Sequence, residues 1–503
     1  MIRKATVEGG KVVGIPAADP RITAFKGIPF AAPPVGVNRW RAPQPVEAWE
    51  GEKECFEFAP ISMQSIPGAD PDNIYSREWN VDPTIPMSED CLYLNVWTPA
   101  KSADEKLPVF VWYFGGGLMA GNTAEMEFDG ERIARRGIVV VTINYRLNVF
   151  GFFAHPQLIK EQPDAPANFG HLDQQYGTRW VQRNIAAFGG DPNNITIGGQ
   201  SAGGLSVCAQ LTSPQNEGLF QKAILMSGMT ANAYKTREFI PPYEELLKHG
   251  ERFFEALGVK TLEEARKIDA VTIRDLYEKF GVFWGTAIDG KFLTEDSNVS
   301  FLSGRRWKVP LLVGCTDSET RPAFKAETVE DIKAAAEKSF GDKAEEYVKI
   351  VGDDVEAALE MTRINAVEIA VRAIKKTEEE RNEDNPIYYY LFGPEIPGWD
   401  NPGTFHSSDL WFFFETLAKC WRPFVGKHYD LARQMCNYWA NFMKTGDPNG
   451  LDADGTPMPE WKPFTTKGQD CMFWGDAPKP IVDTPNELLS FLVDDYIEFK
   501  KEK

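Results

Sequence analysis

Residues Asn194-Ile-Thr-Ile-Gly-Gly-Gln-Ser-Ala-Gly-Gly204 decide how this chain is read. Ile195, Thr196 and Ile197 are β-branched and suit a buried strand. From Ala202 to Gln210 the run AGGLSVCAQ can continue as a helix. Between them Gly199-Gln-Ser-Ala-Gly203 is a G-x-S-x-G sequence at a strand-to-helix turn. A turn that tight leaves no room for side chains two residues either side of the serine, and glycine has none. The Ser201 hydroxyl is then held clear of the sheet at a helix N-terminus, whose dipole and free N–H groups favour a developing negative charge. The competing reading is a Ser/Gly turn that merely connects two elements.

Working outward, strand-like runs recur at Leu107–Phe114, Ile138–Asn144, Ala223–Met226, Val309–Gly314 and Ile387–Phe392. Most are continuous apolar runs, as in strands covered on both faces of a largely parallel sheet. Helical stretches fall between them. In Asp173–Phe188 the residues Trp180, Val181, Asn184, Ile185 and Phe188 sit at helical spacing. Alternating strands and helices predict an α/β fold. Two long charged helical segments, Pro241–Phe280 and Pro322–Glu383, interrupt the alternation. They read as insertions, spanning about 235–305 and 322–383, that form a cap over the end of the sheet where open α/β sheets place their ligand crevice. Residues 1–503 are accordingly expected to form one elaborated domain rather than the three that length alone suggests.

Composition narrows the function. Acidic side chains number 73 against 54 basic ones, a formal net charge of −19. Nucleic acid and anionic membranes are repelled by such a chain and are not expected partners. The apolar stretch Leu107 to Met119 is cut by three glycines and too short for a span, so no membrane span is expected. The N-terminus has basic residues but no apolar core or cleavage site, which predicts a cytoplasmic protein. Seven scattered cysteines, with no C-x-x-C and no Cys/His cluster of zinc spacing, predict free buried thiols and no metal.

The strand Val109–Phe114 runs into Gly115-Gly-Gly-Leu-Met-Ala-Gly121. Gly115 to Ala120 satisfies the G-x-G-x-x-A dinucleotide fingerprint, which requires an acidic residue at the tip of the next strand. That strand ends in Asn144-Tyr-Arg146, with no acid at its tip. The favoured reading is a loop whose bare backbone N–H groups, those of Gly116 and Gly117, converge on an oxyanion.

A serine hydroxyl needs a base within hydrogen-bond reach, itself oriented by a third group. Of the five histidines, His155 and His171 precede the serine, His249 ends a charged helical stretch and is expected to face solvent, and His428 starts a helix. His406, in Pro402-Gly-Thr-Phe-His-Ser-Ser-Asp409, follows the strand Ile387–Phe392 through a Pro/Gly-rich loop and fits the chain order Ser, acid, His. For the acid, Val309-Pro-Leu-Leu-Val-Gly-Cys-Thr-Asp-Ser-Glu-Thr320 offers Asp317 and Glu319, which spacing does not separate.

At this point the chain resembles the type-B carboxylesterase family, which includes the cholinesterases. The likeness is carried by Phe25-Lys-Gly-Ile-Pro-Phe-Ala-Ala-Pro-Pro-Val-Gly36, Glu89-Asp-Cys-Leu-Tyr-Leu-Asn95, Asn144-Tyr-Arg146, Asn184-Ile-Ala-Ala-Phe-Gly-Gly-Asp-Pro-Asn-Asn194 and Lys444-Thr-Gly-Asp-Pro-Asn449. The resemblance implies an α/β-hydrolase fold and a triad of Ser201, Glu319 and His406, with the acid five residues past Gly314. It implies oxyanion donors at Gly116, Gly117 and Ala202, a supporting serine at Ser227, and bracing ion pairs Arg39 with Glu89 and Arg146 with Asp173.

Four departures stand out. Phe114 replaces the His or Tyr often found before the three glycines. Gln200 replaces the usual Glu before the serine and removes a negative charge. Ser62 stands where a cysteine commonly pairs with the one at Cys91, so that disulfide is expected to be absent, as in a bacterial-type member. Trp79 lies about two residues out of register with the family's choline-binding tryptophan.

The implied activity is hydrolysis of carboxylic esters through an acyl-enzyme on Ser201, without metal or organic cofactor, on a small-molecule ester. Lactones, carbamates and amides use the same acyl chemistry. A catalytically silent binding module of cholinesterase type is the alternative from another class. Phe114, Tyr234, Phe283, Trp284, Trp411 and Phe412 are candidate pocket walls, although rings that narrow a pocket also fill a core. Oligomeric state is not legible.

Overall fold

A computed structural model describes residues 1–66, 72–78, 82, 84–235 and 240–502. Trp79 lies outside the described residues. A small sheet near the N-terminus contains β1 (Lys4–Val7), β2 (Gly10–Val13) and β5 (Glu52–Glu54). Among the described residues an eleven-stranded sheet forms the body of the molecule. Its first edge is antiparallel and runs β3 (Ile15–Pro16), β4 (Thr23–Pro29), β6 (Tyr93–Thr98). The parallel centre follows: β8 (Val139–Ile143), β7 (Leu107–Tyr113), β9 (Gly190–Gln200), β10 (Lys222–Met226), β11 (Leu311–Thr316), β12 (Ile387–Phe392) and β13 (Asp470–Trp474). An antiparallel β14 (Pro478–Val482) closes the far edge. The sheet is therefore mixed, with the expected parallel run confined to its middle.

Side-chain alternation explains why the central strands are apolar throughout. Val109, Val111 and Tyr113 of β7 enter one core, whereas Phe110, Trp112 and then Phe114 enter the other. Each face needs its own helical cover. The helix Phe169–Asn184, extended by a 3-10 turn to Phe188, lays Trp180 and Val181 on the first core. The helix Gly426–Thr445 lays Met435, Trp439 and Phe442 on the second.

The first charged segment forms helices Tyr243–Leu257, Leu262–Ala265 and Ala270–Phe280. Thr261 and Glu264 make a capping box at the second of these. Arg39 ties the segment to the scaffold: it donates two bonds to Glu89, of 2.7 and 2.6 Å, and two more to the carbonyls of Ala265 and Ile268. The second segment forms Val329–Phe340, Ala344–Val351, Val355–Met361 and Ala366–Glu380. Its last helix packs on β11, β12 and the C-terminal helix Glu487–Lys501. Ala366–Glu380 thus packs against the sheet, with Val367, Ala370, Val371 and Ile374 forming a buried face along it.

Arg146 donates to both carboxylate oxygens of Asp173, at 2.8 and 2.7 Å, and its own N–H adds a third bond. Both side chains are buried. Removing one partner of such a pair strands the other charge, at a cost of about 3–5 kcal/mol. All seven cysteines are unpaired. Ser62 lies beside the Cys91 thiol and gives its proton to the Tyr145 carbonyl at 2.6 Å. No helix among the described residues is long and apolar enough to cross a membrane.

Candidate active site

Strand register brings the candidate groups to one rim. Met226 pairs with Gln200 on one side and Gly314 on the other, and Thr316 pairs with Phe392. Ser201 and Ser227 therefore leave the sheet at one level, with the Glu319 and His406 loops beside them.

Ser201 sits at φ 55, ψ −123, a left-handed backbone that L residues rarely adopt. Its N–H donates to the Met226 carbonyl at 2.8 Å, and its own carbonyl accepts from Leu205 at 2.9 Å. The two glycines of the turn touch each other. A Cβ on Gly199 would stand 2.3 Å from the Gly203 carbonyl, and one on Gly203 only 2.0 Å from the Tyr113 oxygen. Gly203→Ala is therefore expected to destabilise the protein by about 1–3 kcal/mol, as overpacking does. Gly426→Ala is the control, since its Cβ would meet nothing within 4 Å. Denaturant midpoints for both variants check this, and equal midpoints would refute the steric account.

The glycine loop lies against the same turn. Gly116 (φ +106) and Gly117 (φ +67) have backbone conformations suited to glycine, and the Gly116 carbonyl accepts from the N–H groups of Met119 and Ala120. Gln64 braces the loop through both its amide atoms on Gly121. A Cβ on Gly115 would meet the Gln200 carbonyl at 2.7 Å and the Ser201 Cβ at 3.2 Å. Among the described residues, the N–H groups of Gly116, Gly117 and Ala202 donate to no protein acceptor. No helix begins at this loop; the next elements are the 3-10 turn Met126–Phe128 and the short helix Glu131–Ala134. That placement does not suit a dinucleotide pyrophosphate, which sits at a helix N-terminus.

Glu319 Oε2 stands 3.0 Å from His406 Nδ1. Its other oxygen accepts from Ser227 Oγ at 2.5 Å, Thr316 Oγ1 at 2.9 Å and the Thr316 N–H at 3.2 Å. Burial alone would raise the Glu319 carboxyl, but the bonds from His406, Ser227 and Thr316 outweigh it and hold it below its ordinary value. Asp317 turns elsewhere, accepting from Ser318 and Thr404. Burial lowers the basicity of His406, and the Glu319 carboxylate more than compensates, leaving the imidazole above its ordinary value.

The outer nitrogen of His406 does not meet the serine. Its Nε2 lies 3.3 Å from Gln200 Nε2, and no hydrogen bond joins Ser201 Oγ to the imidazole among the described residues. Neighbouring Asp409 is buried and accepts from the Tyr390 hydroxyl at 2.9 Å. Burial, with the Glu319 charge added, pushes its carboxyl up to about 7. Neither the Gln200 contact nor Asp409 was picked out from sequence, although Asp409 lies three residues past His406.

The other histidines have structural partners. His155 caps the helix Pro156–Glu161 by accepting from Gln157, His171 is buried between Gln174 and Thr286, and His428 accepts from Val425. His249 does not face solvent as expected. It is turned toward Trp284 and lines a cavity of about 880 Å³, because it shares the buried side of its helix with Leu246 and Phe253.

The cavity is lined by Leu118 after the glycine loop, Leu205 one turn past Ser201, Gly228 after Ser227, and Val282 and Phe283. Leu205 and Phe283 are 39% and 43% exposed, high for apolar residues. Of the candidate pocket rings, Phe283 alone lines the cavity. Phe114 is buried and stacked on Tyr145 at 4.3 Å. Tyr234 packs among Phe324, Phe340 and Tyr347. Trp284 packs against Phe153 and Phe253, Trp411 donates to Glu78, and Phe412 packs on Phe392 and Phe424. Among the described residues no group of three or more His, Cys, Asp or Glu side chains is placed to hold a metal ion.

Residues 2–487 match the model of the Carboxylesterase family. The chain is 31% identical over 496 residues to fumonisin B1 esterase of Sphingopyxis macrogoltabida, covering 93% of this chain and 85% of that protein. It is 32% identical over 468 residues to para-nitrobenzyl esterase of Bacillus subtilis (strain 168), covering 88% and 90%. A solved PNB esterase structure superposes with a TM-score of 0.80 at 29% identity, covering 98% of this chain and 99% of that one.

Proposed function

The chain belongs to the carboxylesterase family, and from that premise we propose that it hydrolyses small carboxylic esters through an acyl-enzyme on Ser201. The observation that carries this reading is the Glu319–His406 contact at the rim where Ser201 is held in a strained turn. Glu319 can only accept, so His406 Nδ1 carries the proton and Nε2 presents a lone pair. His406 takes the Ser201 proton as the hydroxyl attacks the ester carbonyl. The N–H groups of Gly116, Gly117 and Ala202 receive the oxyanion, in the manner of preorganised donors. His406 then protonates the leaving alcohol, and water repeats the sequence on the acyl-enzyme. Ser227 and Thr316 fix the Glu319 carboxylate while the imidazolium forms.

The cavity beside Leu205 and Phe283 is large enough for a drug-sized acyl or alcohol group, and its near wall is apolar. Esters with a bulky apolar or aromatic substituent fit it.

Fluorophosphonate labelling of Ser201, with turnover of a short-chain nitrophenyl ester, tests the proposal. The base works only when neutral, and Glu319 raises its protonation midpoint above the ordinary 6.5. The kcat/KM is therefore expected to fall as pH drops through a value above 6.5. Absence of labelling, or a flat profile through this range, would overturn the reading.

A further inference from the structure

Three groups converge on the imidazole of His406 at close range. Glu319 accepts from Nδ1, Gln200 approaches Nε2 from the end of β9, and the Tyr75 ring meets it edge-on with centroids 6.5 Å apart. Asp409, from the same segment as His406, adds a buried negative field only where it is ionised. Tyr75 has its phenol pushed up by burial, and Cys315 within β11 is a buried thiol, so both stay neutral near pH 7. Arg321 acts on Tyr75 rather than on the imidazole.

Chemistry fixes the sense of the Gln200 contact. In the neutral imidazole, with Nδ1 committed as donor to a carboxylate, Nε2 accepts, so the Gln200 amide presents N–H and not its oxygen. Gln200 is buried, and its carboxamide is confined beside Gly115, where an added Cβ would meet Oε1 at 3.0 Å. The lone pair that would take the serine proton is therefore already engaged by a neighbour of the serine.

We propose that the Gln200 carboxamide is a positioning group for the base: it holds the outer nitrogen of His406 in the resting enzyme and, being uncharged, gives no Coulombic support to the imidazolium. This rests on His406 acting as the base. Substrate binding then requires the imidazole to exchange one partner for another, the amide of Gln200 for the hydroxyl of Ser201. An N–H donated to neutral imidazole stabilises the neutral form, so the contact also keeps the base available at lower pH than Glu319 and Asp409 alone would permit.

The test compares wild type, Gln200→Glu and Gln200→Met, following the His406 titration by imidazole NMR and the acid limb of kcat/KM on a neutral nitrophenyl ester. Gln200→Glu is expected to raise both midpoints by about one pH unit or more, the usual effect of an opposite charge at this range. Gln200→Met, of similar length but without a donor, is expected to raise both by a smaller amount. A variant damaged only in packing would lose plateau rate without moving either midpoint. Either variant leaving the midpoints at their wild-type position overturns the proposal, and if Gln200→Glu does not fold, Gln200→Met decides alone. The NMR titration does not depend on ester turnover, so failure here is distinguishable from failure of the hydrolase assignment, which Ser201 labelling decides.

Discussion

Ser201→Ala is expected to lower kcat on a short-chain nitrophenyl ester by up to about 10⁶ and to abolish fluorophosphonate labelling, with the thermal midpoint unchanged. In the proposed mechanism the hydroxyl oxygen forms the acyl bond, whereas the turn depends on contacts that alanine keeps. The Ser201 N–H still reaches the Met226 carbonyl, and the Gly199–Gly203 contact is untouched. Residual rate over water would come from the N–H groups of the glycine loop and from substrate binding, worth about 10³–10⁴ where a triad member is lost. Wild-type turnover by the alanine variant would place the nucleophile elsewhere and remove the mechanism.

Glu319→Gln is expected to cost about 10⁴ in kcat, the order seen when the acid of such a triad becomes its amide. The charge that supports the imidazolium is lost, and an amide nitrogen can face Nδ1 and impose the wrong tautomer. Asp317→Asn should lose no more than about tenfold, the value of one ordinary hydrogen bond. Its carboxylate holds Ser318 and Thr404 and does not reach the ring. Single-turnover acylation rates for the two variants check the contrast. Equal losses would mean that bracing the loop, rather than charging the base, is what this segment supplies.

Much of the fold was legible in the sequence. Ile387–Phe392 reads as a strand to its last residue, and the G-x-S-x-G turn is where the spacing puts it. These segments are strongly patterned, so local preference and tertiary structure agree. The small sheet of Lys4–Val7, Gly10–Val13 and Glu52–Glu54 was missed because its strands are short and half-exposed, giving no apolar run. The choice between Asp317 and Glu319 was open on spacing alone, because only the direction of a side chain over the β11 tip separates them. The pocket rings could not be told apart for a related reason. Phe114 and Phe283 are chemically identical, and what distinguishes them is Tyr145 against one and open space against the other. His249 was read from the charged residues around it, while the opposite face of the same helix settles where it points.

The order of the strands carries a consequence for chain length. His406 follows β12, which lies three positions across the sheet from the β9 that delivers Gln200 and Ser201. At the usual spacing that is a gap of about 14 Å, beyond the reach of any side chain. The connection from Gly393 to Phe405 makes up the difference, passing the turn after β11, where Thr404 meets Ser318 and Asp317. Surface connections of this kind ordinarily tolerate added or missing residues. Here Thr404 is tied to that turn two residues before His406, so an insertion between them is expected to leave the sheet whole and carry the imidazole away from Glu319.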